Sequence, residues 1–390
     1  MSETGIGPFK KGAVIIEGHV QGLANARALG KAGIPVVCVD KGRCILQFSR
    51  YCRQKFTCPE YKDESFIPFL IELCEKENLH GWCLIPSNDH AVINISKNKE
   101  KLSTYYKIIT PGYDTLEKIY SKINLLAIAH ECGIPYPRIF NPQKEHIDSF
   151  DLRYPVLIKG EFGLNFYKKY KQKAFIVEDN SRLKQLVERF KQGGDEIFIQ
   201  EIIPEKNGNK AVSFTAFCES GDIKTYWMGK KLREHPVRFG TGTLAESIYN
   251  EECLNHSRKL LNVLNYTGVC EIEYMLDPQD SQYKLIEINA RTWLWVELAI
   301  KSGINYPLYI FNYLNGQPSV YPESYDTGKK WVNIYTDLPF SIKALCSGRL
   351  KFKDYLKQNK GEKVVAMWDR TDPLPLLMYG LMMLSYVRER

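Results

Sequence analysis

Lys284-Leu285-Ile286-Glu287-Ile288-Asn289-Ala290-Arg291, read with Glu271-Ile272-Glu273-Tyr274 upstream, is the stretch that decides the fold. Apolar and polar residues alternate in both segments, and the polar run Asp277-Pro278-Gln279-Asp280-Ser281-Gln282 lies between them. That pattern predicts two strands joined as a β-hairpin with a longer loop. Side chains two apart on a strand share a face. The alternation therefore gathers Glu273 on one strand with Glu287 and Asn289 on the other, and sets the Arg291 guanidinium just beyond. Carboxylates held this close need a cation. An all-oxygen set suits Mg²⁺, which usually also keeps waters and substrate phosphates as ligands. A solvated hairpin face with Arg291 as counter-charge is the plainer alternative.

Around this hairpin the pattern is mixed. Upstream, Ala211–Cys218 and Lys224–Gly229 pair as a further hairpin about Glu219-Ser220-Gly221-Asp222. Lys230-Lys231-Leu232-Arg233-Glu234-His235-Pro236-Val237-Arg238 follows as a dense cationic patch. Phe239-Gly240-Thr241-Gly242-Thr243 after it is a flexible turn whose N–H groups could approach an anion. Downstream, 297–302 and 306–314 read as helices. Before these elements stands a small α+β unit. It comprises a strand at 155–160 that ends on Lys159-Gly160, a basic loop (Lys168, Lys169, Lys171, Lys173), a strand at 174–177, a helix at 181–191, and a strand at 196–200 running into Glu201-Ile202-Ile203-Pro204. Lys122 lies on the polar side of helices predicted over 114–133.

The N-terminal part reads as a βαβ layer: strand 13–17, helix 23–31, strand 36–40, helix 66–77, strand 82–86. Asp40 ends the second strand, where a ribose-binding acid would sit. The G-x-G-x-x-G fingerprint is absent, since Gly18 and Gly22 are four apart. A plain doubly wound layer whose glycines serve the turn is the stronger reading. Asp89, after the strand at 82–86, reads as a helix cap.

The 390 residues allow two or three domains, and 44% hydrophobic with 25% charged content is ordinary for a soluble globular protein. The net charge of +8 comes without blocks of like charge, which argues against nucleic-acid tails. The eleven cysteines are scattered, lack zinc spacing, and imply a reducing compartment, so a cytoplasmic location is expected. No secretory h-region and no run of transmembrane length is evident. The apolar, Met-rich 374–387 reads as a core helix by default. A partner surface, or shallow contact with a membrane or lipid-linked acceptor, is the alternative.

Lys122, Lys159 with its basic loop, the strand end at 200–204, the 230–238 patch and the Glu273/Glu287/Asn289 cluster share one chemistry, that of a nucleoside-triphosphate site. Their order and spacing, with E-I-N-A-R at 287–291, resemble the ATP-grasp superfamily from about residue 120 to 317. Arg238-Phe-Gly-Thr-Gly-Thr-Leu-Ala-Glu-Ser247 and Asp372-Pro373-Leu374-Pro375 are similar to D-aspartate ligase and related amino-acid ligases. The P-loop motif G-x-x-x-x-G-K-[ST] is absent.

The resemblance implies an α/β pre-ATP-grasp layer (1–115), a two-lobed ATP-grasp domain (116–320, with a small mobile lobe about 157–205) and a C-terminal segment (321–390). It implies ATP phosphates on Lys122 and Lys159, and an adenine hinge at Gln200, Glu201, Ile202 and Ile203. One or two Mg²⁺, or Mn²⁺, would lie on Glu273, Glu287 and Asn289. Arg291 would act on the transferred phosphoryl group, and Lys231, Arg233 and Arg238 on the carboxylate substrate. The implied reaction is ATP-dependent, ADP-forming amide synthesis from a small carboxylate and an amine through an acyl phosphate, with a homodimer among the usual arrangements. Phosphorylation of bicarbonate, as in biotin carboxylase or carbamoyl-phosphate synthesis, and a non-catalytic nucleotide-binding module are the rival readings.

Overall fold

The computed structural model describes residues 11–161, 163–172, 174–204, 211–235 and 240–388. Three sheets organise them. The first is parallel and formed by β1 (Ala13–Ile16), β2 (Val36–Asp40), β3 (Cys52–Thr57), β4 (Cys83–Pro86) and β5 (Lys107–Ile108), in the order β3-β2-β1-β4-β5. Its central strands β1, β2 and β4 are short, fully buried and mostly apolar because both faces are covered. Ala13 and Ile15 face one buried cluster, and Val14 and Ile16 the other. The helix Val20–Lys31 lies so close to the end of β1 that a Cβ on Gly22 would stand 2.1 Å from the Glu17 carbonyl oxygen. Asp40 is used internally, accepting from Gly18 N at 2.8 Å and Gly42 N at 3.1 Å. The glycine turn therefore serves packing, as the plain layered reading expects.

The second sheet is antiparallel: β6 (Ile139–Phe140), β7 (Val156–Gly160), β8 (Phe175–Val177) and β9 (Ile197–Glu201), ordered β6-β9-β7-β8. The stretch expected as a basic loop contains a helix, Gly163–Tyr170. Phe166 and Tyr170, four apart, share a helix face and pack with Phe175 and Phe190. The aromatic spacing overrides the lysines, of which Lys169 binds Asp195 at 2.8 Å. Lys173 lies outside the described residues.

The third sheet carries the decisive hairpin. It comprises β10 (Val212–Glu219), β11 (Asp222–His235), β12 (Thr241–Ile248), β13 (Gly268–Leu276), β14 (Tyr283–Asn289), β15 (Lys330–Val332) and β16 (Lys363–Val365), ordered β14-β13-β10-β11-β12-β15-β16. The C-terminal segment thus completes this sheet through β15 and β16. It also docks on the first layer, where Arg27 Nε meets Asp372 Oδ2 at 2.9 Å in a buried pair.

Two C-terminal helices are built inside out. Ile334–Cys346 buries Asp337 and Ser341 and exposes Ile334, Leu338 and Ile342. Phe352–Gln358 buries none of its residues and exposes Phe352 and Leu356. Helix Leu374–Arg388 is mixed: Leu376, Tyr379 and Met382 pack on the core, while Leu374, Leu377 and Leu381 are exposed. Among the described residues no helix is long and apolar enough to cross a membrane. All eleven cysteines are unpaired.

Candidate active site

The β13–β14 register sets Glu273 directly opposite Glu287, and Glu271 opposite Asn289. Opposed residues of an antiparallel pair share a face. All four side chains therefore stand on one side of the ribbon. Cys270, Ile272, Tyr274, Leu285 and Ile288 stand on the other, in a core packed against the helix Glu251–Val263. Burial of one face fixes the register, because a one-residue slip would turn the carboxylates into that core. A bulge after Glu273, where Tyr274 pairs with Leu285, ends the regular alternation.

Lysines bridge to this face from two directions. Lys231 of β11 places Nζ 3.1 and 3.2 Å from the two carboxylate oxygens of Glu273. Lys122, first residue of the helix Lys122–Glu131, places Nζ 3.3 Å from Glu287 Oε2. Asn289 Nδ2 donates to Glu271 Oε2 at 3.1 Å and to Glu287 Oε1 at 3.4 Å. Burial works to discharge Lys231, but Glu273, Glu271 and Glu287 outweigh it and hold the ammonium above the ordinary lysine range. Burial first, and the Glu273 charge next, push Glu271 up to about 7 despite the hydrogen bond from Ser213 Oγ at 2.7 Å.

Glu271 and Ser213 were not singled out from the sequence. The period-two rule that picks out Glu273 includes Glu271, and Ser213 pairs across β10 with Glu273.

Arg291 turns towards the first layer. Its Nε and Nη2 meet both oxygens of Asp89 at 2.8 and 2.7 Å, and Tyr120 Oη donates to Asp89 Oδ1 at 3.1 Å. Asp89 is thus not the helix cap expected of it. Asn88 caps the helix Asp89–Lys97, accepting from the N–H groups of His90 and Ala91. Burial opposes the charge on Arg291, but Asp89 more than offsets it and the guanidinium stays protonated.

In the four-stranded sheet Lys159 Nζ donates to Gln200 Oε1 at 2.6 Å across β7 and β9. Arg138 forms an ion pair with Glu201. Ile202 and Ile203 follow the end of β9. Glu161, two residues past Lys159, accepts from Lys122 N at 3.4 Å and from Ser121 Oγ at 2.9 Å. The lobe carrying Lys159 is thereby tied to the base of Lys122, and Lys122 to the ribbon.

The 230–238 patch divides. The stretch up to His235 is strand, and its pairing with β12 shifts on both sides of Arg233. Lys231 keeps to the carboxylates. Arg233 instead clamps Asp337 at 2.8 and 2.6 Å, donates to Gln358 at 2.8 Å and stacks over Tyr355. Arg238 lies outside the described residues.

Among the described residues no group of three or more His, Cys, Asp or Glu is gathered to hold a metal. The ribbon offers two opposed carboxylates, an amide and ammonium groups lying against each carboxylate. Two carboxylates with phosphate oxygens and waters are what Mg²⁺ takes, so the residues fit Mg²⁺ delivered with a nucleotide.

Residues 143–308 match the family described as carbamoyl-phosphate synthase L chain, ATP binding domain. The chain is 24% identical over 265 residues to D-aspartate ligase of Enterococcus faecium, an alignment that takes in 64% of this chain and 63% of that protein's length. It superposes on L-amino acid ligase from Bacillus licheniformis with a TM-score of 0.58 at 17% identity, over 78% of this chain and 74% of the other. N5-carboxyaminoimidazole synthetase from Staphylococcus aureus gives 0.62 at 17% identity, over 89% and 87%.

Proposed function

We propose that this chain, an ATP-grasp protein by its matched domain and its fold, is a carboxylate–amine ligase that makes an amide at the expense of ATP. The observation that carries the reading is the opposed Glu273–Glu287 pair with Asn289 beside it, bridged by Lys231 and Lys122. Similarity to D-aspartate ligase supports an amino-acid substrate.

In this reading Lys159 and Lys122 hold the phosphates, and the segment Gln200–Ile203 borders the adenine. Glu273, Glu287 and Asn289 would hold one or two Mg²⁺, which would supply charge neutralisation to the nucleotide phosphates. The substrate carboxylate oxygen attacks the γ-phosphorus, the bond to the β-phosphate oxygen breaks, and ADP leaves with that electron pair. Arg291, held rigid by Asp89, faces the charge that develops on the acyl phosphate. The amine nitrogen then forms the C–N bond and gives up a proton as the acyl C–O bond breaks and phosphate departs with that electron pair. The chain contributes position and charge, which is most of what phosphoryl transfer requires.

The match to the carbamoyl-phosphate synthase domain favours a second reading, in which bicarbonate is the carboxylate. ADP release with ATP, Mg²⁺ and a mixed amino-acid pool, followed by mass spectrometry of the products, separates the two. An amide product supports the first reading, and ADP formation with bicarbonate alone supports the second. Tight ATP binding without ADP under every condition removes both.

A further inference from the structure

Large hydrophobic side chains facing solvent are not spread evenly over this molecule. Fourteen are exposed among the described residues, and nine of them lie between Ile334 and Leu381. Apolar residues scattered singly over a surface need no explanation, whereas a contiguous patch marks an interaction site.

Three helices carry the patch. On Ile334–Cys346 the exposed Ile334, Leu338 and Ile342 recur every four residues and form a stripe along the helix. Phe352–Gln358 adds Phe352, 64% exposed, and Leu356. Leu374–Arg388 adds its own outward leucines. The helices are fixed to one another. Arg233 grips Asp337 of the first and Gln358 of the second. Tyr335 of the first donates from Oη to the Leu376 carbonyl of the third at 3.1 Å, and its ring meets Tyr379 edge-on. β15 and β16 run parallel and side by side, so Ile334 and the exposed Trp368 both follow the same end of the sheet. The inverted helices are therefore a held arrangement, with the polar clamp inside and the apolar stripe outside.

Charge names the occupant. Lys343, Arg349, Lys351, Lys353, Lys357 and Lys360 are exposed in the same stretch, against a single exposed acid, Asp354. Lys351 and Lys353 flank Phe352, and Lys357 follows Leu356. Large apolar side chains set among cations are what a helix lying in the interface of an anionic bilayer presents. A tryptophan beside them suits the headgroup level, where one end of the ring system is apolar and the other wet. A second copy of the chain fits worse, because a self-complementary contact lays the patch on itself and sets cations against cations.

We propose that this face of the C-terminal segment rests on an anionic phospholipid bilayer. The outward residues of the three helices enter the acyl boundary, and the lysines meet lipid phosphates. The contact is peripheral, since no helix among the described residues is long and apolar enough to span. The proposal does not depend on the ligase reading.

The test uses the full chain and vesicles of phosphatidylcholine with or without phosphatidylglycerol. Wild type sediments with vesicles containing about one-third phosphatidylglycerol and binds pure phosphatidylcholine at least about tenfold more weakly. Phe352→Ser with Leu356→Ser, and separately Lys353→Glu with Lys357→Glu, weaken binding to the anionic vesicles at least about tenfold while circular dichroism stays that of wild type. A second readout needs no surface variant. Trp368 is the one exposed tryptophan of six, so brominated phosphatidylglycerol quenches part of the wild-type emission. Trp368→Phe removes that quenching and keeps vesicle binding within about threefold. Wild type that stays in solution with anionic vesicles, equal binding to both vesicle types, emission untouched by the brominated lipid, or undiminished binding by both folded double variants overturns the proposal. A wild-type dimer that Phe352→Ser with Leu356→Ser turns into monomer, with no vesicle binding, makes a second copy the occupant and overturns it too. Polyglutamate bound as tightly as anionic vesicles assigns the face to an acidic protein instead, with the same consequence.

Discussion

The β13–β14 ribbon and the arm of β11 at 230–235 both carry charged side chains two residues apart, yet they use them differently. In the ribbon, alternation is intact from Glu271 to Glu273 and from Glu287 to Asn289, so every charge stays on one face. In the arm, the pairing with β12 shifts around Arg233, and neighbours in sequence part company. Lys231 goes to the carboxylates and Arg233 to the C-terminal helices. Regular strand collects charge on one face. A bulged strand distributes charge between that face and a structural clamp.

That contrast is most exposed to substitution at the ribbon. Glu287→Gln removes one charge of the proposed metal site from the face but leaves the core behind it untouched. Turnover, read as ADP release, should fall by at least about 100-fold, with folding stability changed by no more than about 1 kcal/mol. Undiminished ADP release by the folded variant would place the metal elsewhere. Arg233→Ala should do the reverse. It leaves the 5% exposed Asp337 without its counter-charge, holding only the hydroxyls of Thr243 and Ser341, for a loss of about 3 kcal/mol in denaturant unfolding. A variant as stable as wild type would show that the clamp is not structural.

Smaller effects sharpen the same division. Lys159→Ala removes a cation bonded to Gln200 at the lobe, and ATP affinity measured by calorimetry should weaken about tenfold or more. Equal affinity would remove Lys159 from the phosphate contacts. Glu297 tests the opposite case, a buried carboxylate far from any assigned role. Burial, opposed by Arg27 and Lys301, pushes it up to about 7. A carboxyl whose folded pKa is raised binds its proton more tightly folded than unfolded. Its contribution is therefore present below the ordinary Glu range and is lost as pH rises towards 7. Glu297→Gln should flatten the fall in stability between pH 4.5 and 7 and gain up to about 3 kcal/mol at pH 8. An unchanged pH profile would show that Glu297 does not hold its proton.

The fold was largely legible because its signals are local. Buried runs such as Ala13–Ile16 and the alternation about Ile272 and Ile288 are statements about which face meets the core. The helix at 163–170 was hidden because its lysines run on into Lys171 and Lys173 and read as a basic loop, though Phe166 and Tyr170 enter the lobe's core. The candidate site was legible where one strand period suffices, at Glu273, Glu287 and Asn289. It was illegible where distant segments meet. Asp89 sits 202 residues from Arg291 in sequence, and nothing at either position names the other. Asp337 is 104 residues from Arg233, inside a helix whose outward apolar stripe reads like an ordinary core helix.

Binding of Mn²⁺ together with a non-hydrolysable ATP analogue, followed by electron paramagnetic resonance, tests the ribbon directly. Wild type should bind the ion in the presence of nucleotide, and Glu273→Gln with Glu287→Gln should weaken that binding at least about 100-fold while retaining the fold. A folded double variant that holds Mn²⁺ and nucleotide as tightly as wild type would contradict the account.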